Sequence, residues 1–177
     1  MNYAFLNADQ LEQLVRKGQP GKDYAIVDVR DDDYRGGNLP GAIRAPSEQR
    51  TDHSVQHLVQ QLKGVPTVIF HCTLSQVRGP KAARIYADAM AKAHDEQHGA
   101  PAPPPGADSH ASDDARPAEP TSTAATDFSP NPYAQQLRTD GADKQQVFVL
   151  RDGFAGWQAL HRNDPALVEN FDATIWS

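Results

Sequence analysis

Residues 66–80 read PTVIFHCTLSQVRGP, and this stretch decides how the rest of the chain is interpreted. Its opening run, residues 66–70, is apolar and partly β-branched, which is typical of a buried parallel strand. Pro80 suits the first turn of a helix, where its missing N–H costs nothing, and residues 81–90 are good helix formers with an apolar stripe. The sequence therefore predicts a strand, a loop over residues 71–79 and a helix.

The predicted loop is suited to binding a tetrahedral oxyanion. A loop between a strand and a helix in an α/β sheet directs backbone N–H groups and the positive end of the helix dipole toward one point. Cys72, the single cysteine of the chain, stands at the mouth of this cradle. A helix N-terminus and a nearby cation lower a thiol pKa from about 8.5 to roughly 3.5–7.5, so Cys72 is predicted to be a thiolate nucleophile. The residues predicted to form the oxyanion-binding loop are Thr73, Leu74, Ser75, Gln76, Val77 and Arg78.

Four residues around Cys72 are predicted to have specific roles in the loop. Arg78 offers a planar guanidinium that can bind two oxygens of a phosphate-like anion. Ser75 is predicted to stabilise the thiolate, or the sulfur when it leaves, by hydrogen bonding. His71 and Gly79 are predicted to support the loop, and His71 is not expected to transfer protons.

The string His-Cys-x-x-Ser-x-x-Arg-Gly-Pro at residues 71–80 resembles the active loop of the rhodanese-fold phosphatases. It resembles in particular the small fungal and plant relatives of the cell-division-cycle dual-specificity phosphatases, and the eukaryotic arsenate reductases. Residues 26–31 with 36–43 look like the first signature of the rhodanese superfamily, and residues 147–157 look like the last. The resemblance implies a rhodanese-like three-layer α/β fold, with a central, mainly parallel five-stranded sheet flanked by helices.

The same resemblance implies activity on phosphate or a phosphate-like oxyanion. Rhodanese sulfurtransferases have an active loop one residue shorter, which disfavours sulfur transfer. The favoured function is a cysteine-dependent protein tyrosine or dual-specificity phosphatase, which forms a phosphocysteine on phosphorylated peptides or proteins and needs no cofactor. The alternative is an arsenate reductase with glutathione and glutaredoxin as reductant; a third reading is a non-catalytic binding module. Residues 74–77 favour the phosphatase, because fungal arsenate reductases more often carry a glycine and a lysine in the loop interior.

Two residues depart from the pattern of the family. Ser75 stands where the cell-cycle phosphatases carry a glutamate, which puts the identity of the proton donor in doubt. Asn38 replaces the usual histidine of the first signature, and this change is expected to be neutral.

The candidate general acids are aspartates that follow predicted strands. Asp31 lies in the triplet 31–33 after one strand, and Asp152 follows another. Ligands bind at the carboxyl ends of the strands in open α/β sheets, so either carboxyl could protonate a leaving oxygen. The alternative for the triplet is a solvated acidic turn. Asp28 and Arg30, on alternate residues, are interpreted as a structural ion pair.

Composition limits the remaining function classes. The chain has 177 residues, enough for one domain with a single sizeable core. One cysteine forbids an internal disulfide and a resolving-cysteine mechanism within the chain. No apolar run approaches the ~20 residues needed to cross a bilayer, so we expect an intracellular protein of the cytoplasm or nucleus with no membrane contact. Residues 94–131 contain seven acids and one base, and so carry the whole net charge of −6. The neutral remainder gives no reason to expect nucleic-acid binding.

The predicted organisation is one catalytic domain, residues 1–93 and 132–165, interrupted by a disordered insertion and followed by a tail. The insertion, residues 94–131, is acidic and rich in proline and alanine, and it is a candidate surface for a protein partner. The tail, residues 166–177, is apolar enough to pack on the domain.

Four further segments are expected to be strands and three further segments to be helices. The strands are residues 3–6, 24–29, 42–45 and 147–150, and the helices are one that ends at Gly18, one over residues 51–63 and one that buries Phe154, Trp157 and Leu160. His53 and His57 lie four residues apart but have no carboxylate or cysteine partner, so no metal site is expected.

Overall fold

The computed structural model describes residues 3–98 and 144–176. This part of the chain contains five strands, four α-helices and two short 3₁₀ turns, Asp32–Tyr34 and Ser47–Gln49. The strands are β1 (Ala4–Leu6), β2 (Tyr24–Asp28), β3 (Ile43–Arg44), β4 (Thr67–His71) and β5 (Gln146–Leu150). The helices are α1 (Ala8–Lys17), α2 (Asp52–Gln61), α3 (Arg78–His98) and α4 (Gly153–His161).

The five strands form one sheet in the order β1-β5-β4-β2-β3, and every neighbouring pair is parallel. In the register of the central pairs, Asp28 of β2 lies opposite His71 of β4 and Arg44 of β3. The carboxyl ends of β2, β3 and β4 therefore meet at one edge, where Cys72 follows β4. This arrangement confirms the predicted rhodanese-like α/β fold class, with a sheet that is wholly parallel.

The sheet is buried on both faces. Alternate residues of β2 point to opposite sides, so Ala25 and Val27 join the core under α2 and α3, while Tyr24 and Ile26 join the core under α1 and α4. Strands covered on both faces are near-continuous apolar runs, and all residues of β2 and β4 are buried.

The buried face of α4 differs from the sequence prediction at one position. Phe154 and Trp157 are fully buried as predicted, but Leu160 is 65% exposed. In a helix of 3.6 residues per turn, the side chains nearest to Phe154 and Trp157 are those of Gln158 and His161. Gln158 is buried, and the ring of His161 lies 4.3 Å from that of Trp157, so these polar residues take the place assigned to Leu160.

Helix α3 is longer than predicted at both ends. It begins at Arg78, and it continues through His98, past the predicted domain boundary at residue 93. Residues 91–98 contain alanine, lysine, glutamate and glutamine, which favour helix even though the segment is charged. The rest of the acidic insertion, and residues 132–143 at the start of the second part of the predicted domain, lie outside the described residues.

The C-terminal segment packs against the core under α1 and α4. Leu167 and Val168 are buried there, and the Trp157 ring N–H donates to the carbonyl oxygen of Leu167 at 2.9 Å. Asn38 forms an isolated antiparallel bridge with Glu169, and its side-chain NH₂ also donates to the Glu169 carboxylate at 3.1 Å. Asn38 therefore anchors the tail. Within the two described ranges, no helix is long and apolar enough to span a bilayer.

Candidate active site

Cys72 lies between the end of β4 and the start of α3, in a loop of irregular backbone. Its residue is only 4% exposed, and it is a free cysteine. The backbone N–H of Ser75 donates to Sγ of Cys72 at 3.2 Å, and the N–H of Cys72 donates to Oγ of Ser75 at 3.4 Å. Ser75 has φ 52°, a left-handed conformation that few non-glycine residues adopt. This turn directs the N–H dipole of Ser75 at the sulfur.

The loop has further N–H groups available for an anion. Among the described residues, no acceptor is paired with the backbone N–H of Thr73, Leu74, Gln76 or Val77. Successive free N–H groups before the N-terminus of a long helix form an anion-binding cradle. The sequence prediction of these loop residues as an oxyanion site is consistent with that geometry.

The N-terminus of α4 holds the loop from the opposite side. The N–H of Phe154 donates to the carbonyl oxygen of Cys72 at 2.9 Å, and the N–H of Ala155 donates to that of Thr73 at 2.8 Å. Gly153 makes this approach possible, since a Cβ at its position would lie 2.4 Å from the Cys72 carbonyl oxygen and its φ is +55°. The sequence places Gly153 three residues after the last predicted strand, at the same edge of the sheet as Cys72, but it did not predict this contact with the loop.

Arg78 is paired with two carboxylates from the loop after β2. One guanidinium nitrogen donates to Asp31 at 3.1 Å and to Asp33 at 2.7 Å, and the other nitrogen also donates to Asp33. Asp33 accepts a further hydrogen bond from the hydroxyl of Thr73. These hydrogen bonds connect the loop after β2 to the loop of Cys72, and they involve both Nη groups of the Arg78 guanidinium.

The pairing changes the acidity of these groups. Hydrogen bonds from Arg78 hold the pKa of the Asp33 carboxyl well below its usual range, although partial burial opposes the shift. The same hydrogen bonds to Asp33 raise the pKa of Arg78. Burial alone would raise the pKa of Asp31, but hydrogen bonds from Ser47, Glu48 and Arg78 outweigh it and lower the value. Both carboxylates are therefore ionised at neutral pH.

The hydrogen bonds of the two candidate general acids, Asp31 and Asp152, show whether each could donate a proton. Asp31 accepts hydrogen bonds from the Ser47 hydroxyl at 2.5 Å, the Glu48 N–H at 2.9 Å and Arg78, and an ionised acceptor has no proton to donate. The geometry thus disfavours Asp31 as the acid. Asp152 has φ 62° and is exposed. Its side chain makes no hydrogen bond at the start of α4. No hydrogen bond or ion pair in the described part of the chain links the Asp152 carboxylate to the loop.

His71 is part of a buried network beneath the loop. Its Nδ1 lies 3.3 Å from the carbonyl oxygen of Cys72, and its Nε2 lies 3.7 Å from a carboxylate oxygen of Asp28. Complete burial lowers the pKa of His71, and the nearby Asp28 carboxylate only partly opposes this effect, so the ring is neutral. The geometry places His71 as a support for the loop backbone.

Asp28 and Arg30 form a fully buried ion pair with nitrogen-to-oxygen distances of 2.6–3.0 Å. Arg30 also donates to the carbonyl oxygen of Gly37 at 2.8 Å, and its guanidinium lies 4.2 Å from the ring centroid of Phe154. The pair thus joins β2, the first-signature loop and α4. This matches the structural role predicted for it.

Replacement of Asp33 by asparagine should strengthen phosphate binding about 2- to 5-fold. The substitution removes a carboxylate that competes with phosphate for the Arg78 guanidinium and also repels it. The effect is modest because the side chains of Asp33 and Arg78 are both partly exposed. Calorimetric titration of inorganic phosphate into wild type and Asp33→Asn would measure it. The matched control is Asp32→Asn, which removes the same charge from the same turn at an exposed residue with no ion pair among the described residues. Weaker phosphate binding in Asp33→Asn would mean that Asp33 orients Arg78 for the anion instead.

The described residues contain no group of three or more histidine, cysteine, aspartate or glutamate side chains placed to hold a metal ion. His53 and His57 are both exposed on α2.

No protein-family model matches the chain. It is 46% identical over 68 residues to the dual specificity phosphatase ibp1 of Schizosaccharomyces pombe, a match that covers 38% of this chain and 49% of that protein. The chain thus spans about half the length of that curated relative. It is 32% identical over 94 residues to arsenate reductase 2.2 of Oryza sativa, which covers 52% of this chain and 68% of that protein.

The fold is also similar to a solved structure from Saccharomyces cerevisiae, a homologue of single-domain rhodanese and of the Cdc25 phosphatase catalytic domain. The TM-score is 0.64 at 20% sequence identity, and the match covers 99% of this chain and 93% of that one. A similarity at this identity supports the fold alone. The rice relative, which is matched over two thirds of its length, shows that this chain belongs to the family of that arsenate reductase, and the solved structure shows that its fold is rhodanese-like.

Proposed function

We propose that the chain is a cysteine-dependent phosphatase that acts through a phosphocysteine on Cys72. One observation carries the proposal: the sulfur of Cys72 accepts an N–H from Ser75 at 3.2 Å, in a loop that ends at Arg78. In this loop the N–H groups of Thr73, Leu74, Gln76 and Val77 have no acceptor among the described residues. A nucleophile, an anion cradle and a guanidinium thus come from consecutive residues. This combination suits nucleophilic attack on a tetrahedral oxyanion ester.

In the proposed first step, the Cys72 thiolate attacks phosphorus in line with the ester oxygen. The S–P bond forms while the bond from phosphorus to the ester oxygen breaks, and the oxygen leaves as an oxyanion that takes a proton from solvent water. The free N–H groups of the loop bind the equatorial oxygens, on which negative charge accumulates in the transition state. Arg78 exchanges its hydrogen bonds with Asp33 for hydrogen bonds to the same oxygens.

In the second step, water attacks phosphorus and the S–P bond breaks, which releases inorganic phosphate and a proton and restores the thiolate. Ser75 lies beside the sulfur, and its hydroxyl proton can hydrogen-bond to the thiolate as it leaves. Because Asp31 and Asp33 are ionised, neither supplies the proton of the first step. Substrates with acidic leaving groups, such as aryl phosphates, are therefore expected to react faster than phosphoserine peptides.

The exposed side chains of the loop indicate the kind of substrate. Leu74 is 53% exposed and Val77 is 71% exposed, and in sequence they lie on either side of the buried Ser75. Apolar side chains at the edge of an anion site suit a phosphate carried on an organic group, because they can contact its apolar body. A phosphotyrosine side chain in a peptide has this shape, and we propose phosphorylated peptides or proteins as the substrate class.

An arsenate reductase is the second candidate, since the same cradle fits arsenate and the family includes such enzymes. Cys72 would form an adduct with arsenate, and a glutathione thiol would then attack its sulfur. A mixed disulfide forms, arsenic gains two electrons, and arsenite is released. The chain has one cysteine, so glutaredoxin with further glutathione would have to reduce that disulfide.

Two assays on the same preparation separate these functions. One measures phosphate release from an aryl phosphate, and the other measures arsenite formation in the presence of glutathione and glutaredoxin. The proposal expects the first reaction to be the faster by kcat/KM, with arsenate acting as a competitive inhibitor. Arsenite formation without phosphate release would overturn the proposal in favour of the reductase.

A further inference from the structure

A cavity of about 350 Å³ lies beside the loop of Cys72, between β3, α2 and α3. Its floor includes the apolar side chains of Val29, Phe70 and Tyr86, which belong to the core under α2 and α3. Its volume is that of a small ligand site. None of the contacts described above for the catalytic loop uses this space.

The polar lining of the cavity is positively charged. Arg44 and Arg50 line it together with His53 and His57, and no aspartate or glutamate does so. Neither arginine forms an ion pair with a carboxylate in the described part of the chain. A cavity with two unneutralised guanidinium groups has a positive potential, which attracts anions.

Arg50 gives the most specific indication of a missing partner. Its residue is half-buried, and its Nη1 is completely buried without a hydrogen-bond partner among the described residues. A buried charged donor without an acceptor is unfavourable, and native proteins normally satisfy such groups. Arg44, by contrast, donates to the carbonyl oxygen of Asp31 at 3.3 Å and lies over the ring of Tyr34. An anionic acceptor in the cavity would satisfy the buried Nη1 group of Arg50.

The cavity adjoins the catalytic loop in the fold. Arg44 is in register with Asp28, and Asp28 is in register with His71, the residue before Cys72. Ala82, which also lines the cavity, lies one helical turn beyond Arg78 on α3. Phe70, another lining residue, lies two positions before Cys72, so the cavity lies at the same end of the sheet as the loop.

We propose that this cavity is a second anion-binding site, which selects substrates that carry a carboxylate or a second phosphate near the phosphate to be cleaved. The apolar floor accommodates the body of the acidic side chain, and Arg50 with Arg44 binds its oxygens. The part of this inference that concerns substrates rests on the proposed phosphatase function; the binding of an anion does not. A free organic anion has the same chemistry as an acidic side chain, and the experiments distinguish these two sources.

The first experiment measures anion binding directly, with benzoate as the probe and the imidazole NMR signals of His53 and His57 as the readout. Benzoate should shift these signals saturably in the full chain, and its dissociation constant should rise about tenfold in Arg50→Gln. Arg50→Lys should bind with intermediate affinity, which separates lost charge from lost structure, and a thermal melt checks folding. Arg162→Gln is the matched control, because Arg162 is an exposed arginine at the end of α4. Equal benzoate affinities in wild type and Arg50→Gln would overturn the inference.

The second experiment compares a phosphotyrosine peptide flanked by glutamates with the same peptide flanked by glutamines. Wild type should prefer the acidic peptide about tenfold in kcat/KM, through KM, and Arg50→Gln should lose this preference while cleaving the neutral peptide normally. If neither peptide is cleaved but benzoate still binds through Arg50, the phosphatase proposal fails and the anion site stands. If both peptides are cleaved equally well while benzoate still binds through Arg50, the substrate role is overturned and the site takes a free organic anion.

Discussion

Replacement of Cys72 by serine is expected to reduce phosphate release from an aryl phosphate at least about 10³-fold. The serine hydroxyl is a far weaker acid than the thiol, so one N–H from Ser75 at the nucleophile and a helix N-terminus cannot ionise it at neutral pH. The anion cradle consists of backbone N–H groups and Arg78, which the substitution does not change. Turnover should therefore disappear while inorganic phosphate still binds.

The measurement is the steady-state rate of phosphate release, with calorimetric titration of inorganic phosphate on the same samples. The titration serves as the control, since an affinity close to that of wild type shows that the loop is intact. A Cys72→Ser variant that retains more than about a tenth of the wild-type rate would contradict nucleophilic catalysis by Cys72.

Replacement of Gly153 by alanine should have the largest effect on stability, a loss of about 2–4 kcal/mol in the free energy of unfolding. The new Cβ would lie 2.4 Å from the Cys72 carbonyl oxygen and 2.5 Å from the Thr73 carbonyl oxygen, and the backbone would keep φ +55°. Relief of the overlap must move α4 away from the loop. The hydrogen bonds from Phe154 and Ala155 would then lengthen, so activity should fall together with stability.

Gly64→Ala is the matched control for this substitution. Gly64 also has a positive φ, +86°, but a Cβ at its position would meet no atom within 4 Å. It should therefore show only the cost of the left-handed backbone, about 1–2 kcal/mol, with full activity. Chemical denaturation of both variants gives the comparison. Equal losses of stability would show that the contact between Gly153 and the loop contributes nothing.

The parts of the fold that sequence predicted well depend on local patterns. The apolar run before Cys72, the helix formers after Pro80 and the aspartate and arginine on alternate residues at positions 28 and 30 each carry their own signal. The order of the three signature stretches then identified the rhodanese-like sheet. Those signals also sufficed to propose Cys72 as the nucleophile and Arg78 as its neighbour.

The partners of the loop were harder to predict because they are tertiary contacts. Asp31, Asp32 and Asp33 are equivalent in sequence, and only the path of the 3₁₀ turn decides that Asp33 and Asp31 reach Arg78 while Asp32 does not. Gly153 is distant from Cys72 in sequence but meets it because β4 and β5 are adjacent in the sheet. No periodicity in the chain encodes such a contact.

Asn38 illustrates the same limit. At the level of sequence it is a substitution of the usual histidine in a signature, and it was expected to be neutral. In the structure its side-chain oxygen accepts from Asn170 at 3.1 Å, and its backbone pairs with Glu169. The residue thus contributes to the packing of a C-terminal segment that the signature does not include.

The most direct test of the account is to trap the covalent intermediate. The full chain would be mixed rapidly with an aryl phosphate and quenched in acid, and the peptide that contains Cys72 would be examined by mass spectrometry. The account predicts one phosphoryl group on Cys72 in the wild type and none in Cys72→Ser. Phosphate release by the wild type without any phosphorylated Cys72 would contradict it.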